Sequence, residues 1–272
     1  MPELPEVENV RRTLAPHLLG RKIVNVEIYL DRIIKHPSVK AFCEGVKGST
    51  VNNILRRGKY LIFSFDNDKL LIVHLRMTGA LLASESDEPP AYAKIKFELS
   101  DGNYLWYTDI RTFGTLHLVN KGENIVKGLA NLGPEPNKEQ LKVAYLKEAF
   151  GKKKAPIKSV LLDQTVIAGL GNIYVDEALA MAGIRPDRKA NELNEKEIKK
   201  VHKAIISVIE QGIVNGGTSF RDYTDGEGNK GSNQDYLLAY GKYGKPCDKC
   251  GTIIEYTKIG GRGTSFCPKC QV

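Results

Sequence analysis

The chain begins Met1-Pro2-Glu3-Leu4-Pro5-Glu6-Val7-Glu8. A small proline at position 2 predicts removal of the initiator methionine, which leaves Pro2 as a free secondary amine beside the carboxylate of Glu3. An α-amino group titrates at roughly 7.7–8.0, so part of it is uncharged and nucleophilic near neutral pH. Amines attack carbonyl-like carbons to give Schiff bases. A secondary amine gives an iminium, which is positive at any pH and draws electrons from its partner. Glu3 and Glu6 are three residues apart, so a helix starting here turns both to one side. The plainer reading is that proline and acids simply suit the first turn of a helix.

Four cysteines form two C-x-x-C pairs, Cys247 with Cys250 and Cys267 with Cys270, with 16 residues between them. Two such knuckles can close a tetrahedral zinc site. Four thiolates leave no open position, so one structural Zn2+ should hold a hairpin and not activate water. The fifth cysteine, Cys43, is unpaired and is expected to pack. Between the knuckles lies Gly260-Gly261-Arg262-Gly263-Thr264. An arginine at such a tip can approach a phosphate or sugar closely, or can simply be solvated.

Gly169-Leu170-Gly171-Asn172 lacks the Lys-Ser/Thr of a P-loop and does not follow a strand pattern, which argues against a dinucleotide fingerprint. A glycine turn before a helix still offers N–H groups to a phosphate. Lys152, Lys153, Lys154 and Lys158 stand nearby, either as a backbone-binding cluster or as a solvated charge run. His74, Arg76 and Met77 end one strand-like run, and Asp109, Arg111 and Phe113 follow another. Met77 and Phe113 are either ordinary packing residues or wedges that enter a base stack.

These groups need a scaffold. At 272 residues the chain is long enough for two domains. A net charge of +8 makes a polyanion the first candidate partner. No apolar run is long enough to span a bilayer, and the N-terminus carries no basic-then-apolar signal, which predicts a cytoplasmic protein with reduced thiols. Val7, Val10, Leu14 and Leu18 recur at helical spacing until Gly20. The period then falls to two at residues 24–30. Further strand-like runs lie at 60–65, 70–75, 95–99, 104–107 and 115–119, with an Asp101-Gly102 hairpin signal. They predict an antiparallel sandwich or barrel. Leu132-Gly133-Pro134-Glu135-Pro136 marks a boundary, and the pattern beyond it is helical. Asn137 is placed to cap one helix, Pro156 to start another, and Asn194 with Glu197 to box a third. Residues 216–235, rich in Gly, Asn and Asp, read as a mobile loop.

Six ordered blocks carry a resemblance across essentially the whole chain. They are Pro-Glu-Leu-Pro-Glu-Val-Glu at 2–8, Arg-Arg-Gly-Lys-Tyr-Leu at 56–61, His-Leu-Arg-Met at 74–77, and Asp-Ile-Arg-Thr-Phe-Gly at 109–114. Gly-Leu-Gly-Asn-Ile-Tyr at 169–174 and the four-cysteine finger with Gly-Arg-Gly-Thr complete the set. In these the chain resembles the bacterial formamidopyrimidine-DNA glycosylases. The resemblance implies an α+β fold with an N-terminal helix and an antiparallel β-sandwich (residues 1–131). A helix–two-turn–helix domain (132–235, with the loop) and a zinc finger (236–272) follow, with DNA between the domains.

The implied activity is excision of oxidised purines, such as 8-oxoguanine and formamidopyrimidines, from damaged double-stranded DNA, followed by strand cleavage by β,δ-elimination. The implied enzyme is a monomer that needs zinc but no redox or nucleotide cofactor, and that associates with the bacterial nucleoid through DNA. By resemblance Pro2 is the nucleophile at C1′, Glu3 the acid acting on the sugar, and Lys59 and Arg262 proton donors in the two eliminations. Glu6, His74, Tyr92, Lys153, Lys158 and Asn172 are carried over as DNA-binding positions. Met77, Arg111 and Phe113 match the triplet that fills the gap left by a flipped base. The chain departs from the pattern at Tyr92 and Lys94, near where relatives carry histidines, and at Thr112, where a basic residue is common. The loop at 216–235 is where such enzymes handle the flipped base. Two other readings remain: an endonuclease VIII-like enzyme for oxidised pyrimidines, and a non-catalytic zinc-finger protein that binds DNA.

Overall fold

A computed structural model describes residues 1–272 and divides into two compact units: Met1–Ala130 with Asn215–Ser232, and Asn131–Val214 with Asn233–Val272. In the first unit, helix α1 (Leu4–Leu18) buries Val7, Val10, Leu14 and Leu18 on the face that their spacing predicts. Strand β1 (Ile23–Ile28) follows, and a short 3-10 turn (Asp31–Ile33) leads into β2 (Ile34–His36). Helix α2 (Val39–Val46) starts at a Ser38 cap and precedes β3 (Val51–Arg57), β4 (Tyr60–Phe65) and β5 (Lys69–His74). Next come β6 (Gly79–Ser84), β7 (Ala93–Leu99), β8 (Tyr104–Asp109) and β9 (Thr115–Asn120), and the short helix α3 (Lys127–Ala130) ends the segment.

Two sheets result, a four-stranded one ordered β1-β7-β8-β6 and a five-stranded one ordered β2-β9-β5-β4-β3. One core joins them, with Ile95, Phe97 and Tyr107 from the first sheet and Leu61, Phe63, Val73 and Leu116 from the second. Helix α1 contributes its apolar face to the same cluster. All pairings are antiparallel except β2 with β9, which is parallel.

The second unit holds α4 (Val143–Gly151), α5 (Ile157–Leu162), α6 (Asn172–Ala182) and α7 (Glu195–Val214). Hairpin strands β10 (Glu255–Ile259) and β11 (Arg262–Phe266) complete it. Asn194 and Glu197 exchange side-chain to backbone bonds of 2.8 and 3.1 Å and box the start of α7. Asn137 does not cap α4, which begins after Lys142; its side chain accepts from Gln140 N–H and closes a separate turn.

Residues 215–232 cluster with the first unit. Their backbone bonds explain this. Thr218 N–H donates to Glu6 Oε1 at 2.7 Å, Gly226 N–H to Thr13 Oγ1 at 2.8 Å, and Ala83 N–H to Gly226 O at 2.8 Å. The hairpin strands cluster with the helices in the second unit.

Candidate catalytic and nucleic-acid-binding site

The register of the five-stranded sheet gathers three of the sequence blocks. Arg57 pairs with Tyr60, Tyr60 with His74, and His74 with Thr115. The turn carrying Gly58 and Lys59, the end of β5 and the start of β9 therefore lie at one end of the sheet. In the other sheet Gly79 pairs with Asp109, which brings the residues after β5 beside the 109–114 turn.

Buried Asp109 organises that turn. Its Oδ1 accepts from Thr78 Oγ1 at 2.6 Å, and its Oδ2 accepts from Gly114 N–H at 2.8 Å and from Tyr107 OH at 3.3 Å. Thr78 Oγ1 in turn accepts from Arg111 N–H at 2.9 Å. A β-carbon at Gly114 would lie 1.7 Å from the Tyr107 hydroxyl, so only glycine closes the turn. Thr112 sits at φ +56, an outlier for a β-branched residue. The turn presents Arg111 between Met77 and Phe113, with Nη1 3.0 Å from Met77 Sδ and the guanidinium carbon 4.8 Å from the Phe113 ring centre. Met77 and Phe113 are 39% and 53% exposed, so neither is a core residue.

Around this end the sites differ in character. Glu3, Glu6 and Lys59 are buried. Glu6 is a hub: its Oε2 accepts from Glu3 N–H at 2.8 Å and its Oε1 from Thr218 N–H. Tyr223 OH donates to Glu6 O at 3.2 Å, which ties the same loop to α1. Pro2 follows Met1 here, so its nitrogen is an amide. His74 is buried, and its Nδ1 accepts from Arg76 N–H at 3.0 Å. Burial, with the Arg76 and Lys59 cations beside it, lowers its pKa to about 3. It is a neutral imidazole whose proton sits on Nε2, a donor without charge. Tyr92 is exposed at φ +63.

A second hub was not legible as a site. Glu8 accepts from Arg11 Nη2 at 2.7 Å, Arg12 Nε at 2.8 Å and Arg56 Nε at 3.1 Å. Burial alone would raise its carboxyl, but the Arg11 and Arg12 hydrogen bonds and the Arg11 and Arg56 charges outweigh it and hold the pKa at about 2. Arg56 also donates to Gly58 O at 3.1 Å, so Glu8 fixes the turn that carries Lys59. The signal was present, since Glu8 precedes Arg11 and Arg12 at three and four residues.

In the second unit the hairpin packs on α6. Asn172 Nδ2 donates to Gly263 O at 2.9 Å, while its Oδ1 is buried without a partner. Lys153 is half-buried and 3.2 Å from Asp163 Oδ2. Arg262 is exposed, next to a tip whose Gly260 and Gly261 lie at φ +55 and +75.

Lys158 corrects the sequence reading. It is fully buried, with Nζ 2.6 Å from Asp176 Oδ1 and 2.8 Å from Gly263 O. Asp176 Oδ2 accepts from Ser265 N–H at 3.2 Å. Such an ammonium is spent on holding the hairpin and cannot also meet a phosphate. A lysine in a basic run reads as a surface charge; only the partner Asp176 reveals otherwise.

The sulfurs of Cys247, Cys250, Cys267 and Cys270 all lie within 4.8 Å of one another. Cys250 and Cys267 are 3.5 Å apart, and Cys247 and Cys270 are 4.0 Å apart. A tetrahedron with Zn–S bonds of about 2.3 Å has edges of about 3.8 Å, so the set fits one zinc ion with no position left open.

Three family models cover the chain. They are the formamidopyrimidine-DNA glycosylase N-terminal domain at residues 1–116, its H2TH domain at 132–224, and the zinc finger found in FPG and IleRS at 244–272. Among curated proteins, a formamidopyrimidine-DNA glycosylase of Bacillus cereus is 46% identical over 100% of this chain and 99% of its own length. One of Desulfitobacterium hafniense is 44% identical over the full length of both. Among solved structures, a Lactococcus lactis FPG mutant bound to a Fapy-dG-containing DNA superposes with a TM-score of 0.94, at 40% identity and 99% coverage of each chain. The Lactococcus lactis Fpg with an abasic-site DNA gives 0.93, at 40% identity and the same coverage.

Proposed function

We propose residue roles on one premise: this chain belongs to the formamidopyrimidine-DNA glycosylase family. It is a DNA glycosylase of base excision repair that removes oxidised purines from damaged duplex DNA, with the AP lyase activity typical of the family. It binds one structural zinc ion through its four clustered cysteines. No helix is long and apolar enough to cross a membrane, and the relatives are bacterial; both fit work in the cytoplasm, on the nucleoid.

Removal of Met1 turns the Pro2 amide into a secondary amine. Its lone pair attacks C1′ of the damaged nucleotide, and the base departs with the bonding electrons of the glycosidic bond. Glu3 supplies the proton that opens the sugar ring at its oxygen. The resulting iminium acidifies the neighbouring C2′–H, so loss of that proton expels the 3′ phosphate. Lys59 and Arg262 serve the first and second eliminations as proton donors. Met77, Arg111 and Phe113 fill the space that the flipped nucleotide leaves, which offsets part of an unstacking cost of about a few kcal/mol. Zinc holds the hairpin that presents Arg262, and no step of the reaction passes through it.

The observation that carries these roles is the exposed group of Met77, Arg111 and Phe113 at the same sheet end as Lys59 and His74. A zinc-finger protein that only binds DNA has no use for a buried Lys59 there or for paired acids at the start of α1. Borohydride reduction on oxidised-purine and oxidised-pyrimidine duplexes tests the assignment. A trapped adduct is expected with the purine substrate and should vanish in Pro2→Gly. An active preparation that retains Met1 by intact mass would refute Pro2 as nucleophile. Glu3→Gln should bind lesion DNA at least as well as the parent and excise the base about 10²–10⁴-fold more slowly.

A further inference from the structure

The turn that carries the wedge has a second guanidinium on it. Arg32 lies in the 3-10 turn before β2, and the parallel pairing of Ile34 with Leu116 sets that turn beside the 109–114 segment. Its Nη2 donates to Thr112 Oγ1. Thr112 Oγ1 also donates to Arg111 O at 2.7 Å, so a single hydroxyl bridges Arg32 to the backbone of the wedge. Arg32 is exposed and is not within ion-pair reach of any carboxylate. Arg111 likewise lacks an acidic partner and is engaged by Met77 and Phe113. The structure thus holds two un-neutralised guanidiniums on either side of Thr112, next to two exposed apolar side chains.

We propose that Arg32 is a phosphate-binding residue of the duplex site, held by Thr112 beside the wedge, and that it contacts the DNA backbone next to the gap which Met77, Arg111 and Phe113 fill. The inference rests on the glycosylase reading above. Exposed apolar side chains suit the faces of unstacked bases. The anions that flank any base step are phosphodiesters, and the planar fork of a guanidinium matches their oxygens. An aliphatic ammonium could supply the charge but not a rigid planar fork whose separate N–H groups meet Thr112 and a phosphodiester at once. Arg32 therefore has two parts to play: one N–H orients the turn, and the rest of the fork faces the strand.

The two parts separate experimentally. Affinity for a duplex with a non-cleavable abasic analogue is measured across a salt series for the parent, Arg32→Ala, Arg32→Gln and Arg32→Ala with Thr112→Lys. Each phosphate neutralised contributes about 0.9 to the slope of log affinity against log salt. Arg32→Ala and Arg32→Gln should each lose about that amount, although glutamine keeps a donor for Thr112. Thr112→Lys should restore it in the double variant. An unchanged slope in both single variants, with or without weaker binding, would overturn the proposal and leave Arg32 as a packing residue. Excision by the parent is assayed on the same duplex bearing a formamidopyrimidine. If the parent binds but does not excise, the glycosylase reading fails, while the slopes still decide whether Arg32 meets phosphate.

Discussion

Glu8 is a buried carboxylate set among three guanidiniums. It holds Arg11, Arg12 and Arg56, and through Arg56 it fixes Gly58 O, one residue before Lys59. Its carboxyl is held at about 2 against an ordinary value of 4.5. A depressed carboxylate stabilises the fold fully above its unfolded pKa, and loses that contribution as pH falls through its folded one. The window here runs from about pH 4.5 down to about 2. Glu8→Gln should therefore cost about 1.5–3 kcal/mol at neutral pH, the range for hydrogen bonds to a charged group. It should also flatten the acid-unfolding curve within that window. Urea titrations at several pH values check both points; parallel losses for parent and variant down to pH 2 would mean that the network is not linked to folding. The same variant should slow strand cleavage more than lesion binding, because Lys59 loses its fixed turn while the exposed wedge is untouched.

Elements transmit the same dependence over longer distances. Helices α5 and α6 hold β11 through Lys158, Asp176 and Asn172, all converging on the backbone of Gly263 and Ser265 beside Arg262. Burial pushes Asp176 up to about 6, with the Lys158 ammonium and the Ser265 N–H opposing it. Lys158→Met removes that ammonium, so the carboxyl should rise further and take a proton near neutrality. Breaking a buried pair this way costs about 3–5 kcal/mol, whereas Lys158→Met with Asp176→Leu should recover most of the loss. Thermal unfolding of the zinc-loaded protein separates the cases, and equal stability of both variants would contradict the lock. This lock also marks the limit of sequence reading. The Asn194–Glu197 box marked α7, and the apolar period marked α1 and six of the strands, β1, β4, β5, β7, β8 and β9. Helix α2 and strands β3 and β6 escaped it: α2 is short, β3 alternates poorly between polar residues, and β6 carries small residues. Motif spacing marked the cysteines and the wedge, whose residue types are unusual for their setting. It could not mark Lys158 as buried or join Thr13 and Glu6 to a loop some 200 residues later, since long-range pairing leaves no local period.

At the scale of the whole molecule, a net charge of +8 explains attraction to DNA but not where DNA sits. The cations divide into two classes. On and around the helices, Lys199 pairs with Glu195, Lys152 with Glu148 and Lys138 with Glu210, all exposed. Arg262 and Arg111 have no such partner and lie on the residues argued to meet the strand. Fields from exposed charges decay over about 8–10 Å at ordinary salt, so a remote lysine adds to net charge without displacing counterions. Counterion release counts only phosphates that are contacted. Arg262→Ala lowers the net charge by one and should reduce the salt slope by about 0.9. Lys199→Glu lowers the net charge by two and should leave the slope within error, with at most a slower association at low salt. Both variants are compared by fluorescence anisotropy on one labelled duplex across a tenfold range of salt. If Lys199→Glu changes the slope as much as Arg262→Ala, binding follows net charge alone, and the assignment of local contacts to the hairpin and the wedge fails. If only Arg262→Ala moves it, the excess of positive charge steers the DNA, and a few unpaired guanidiniums decide where it is held.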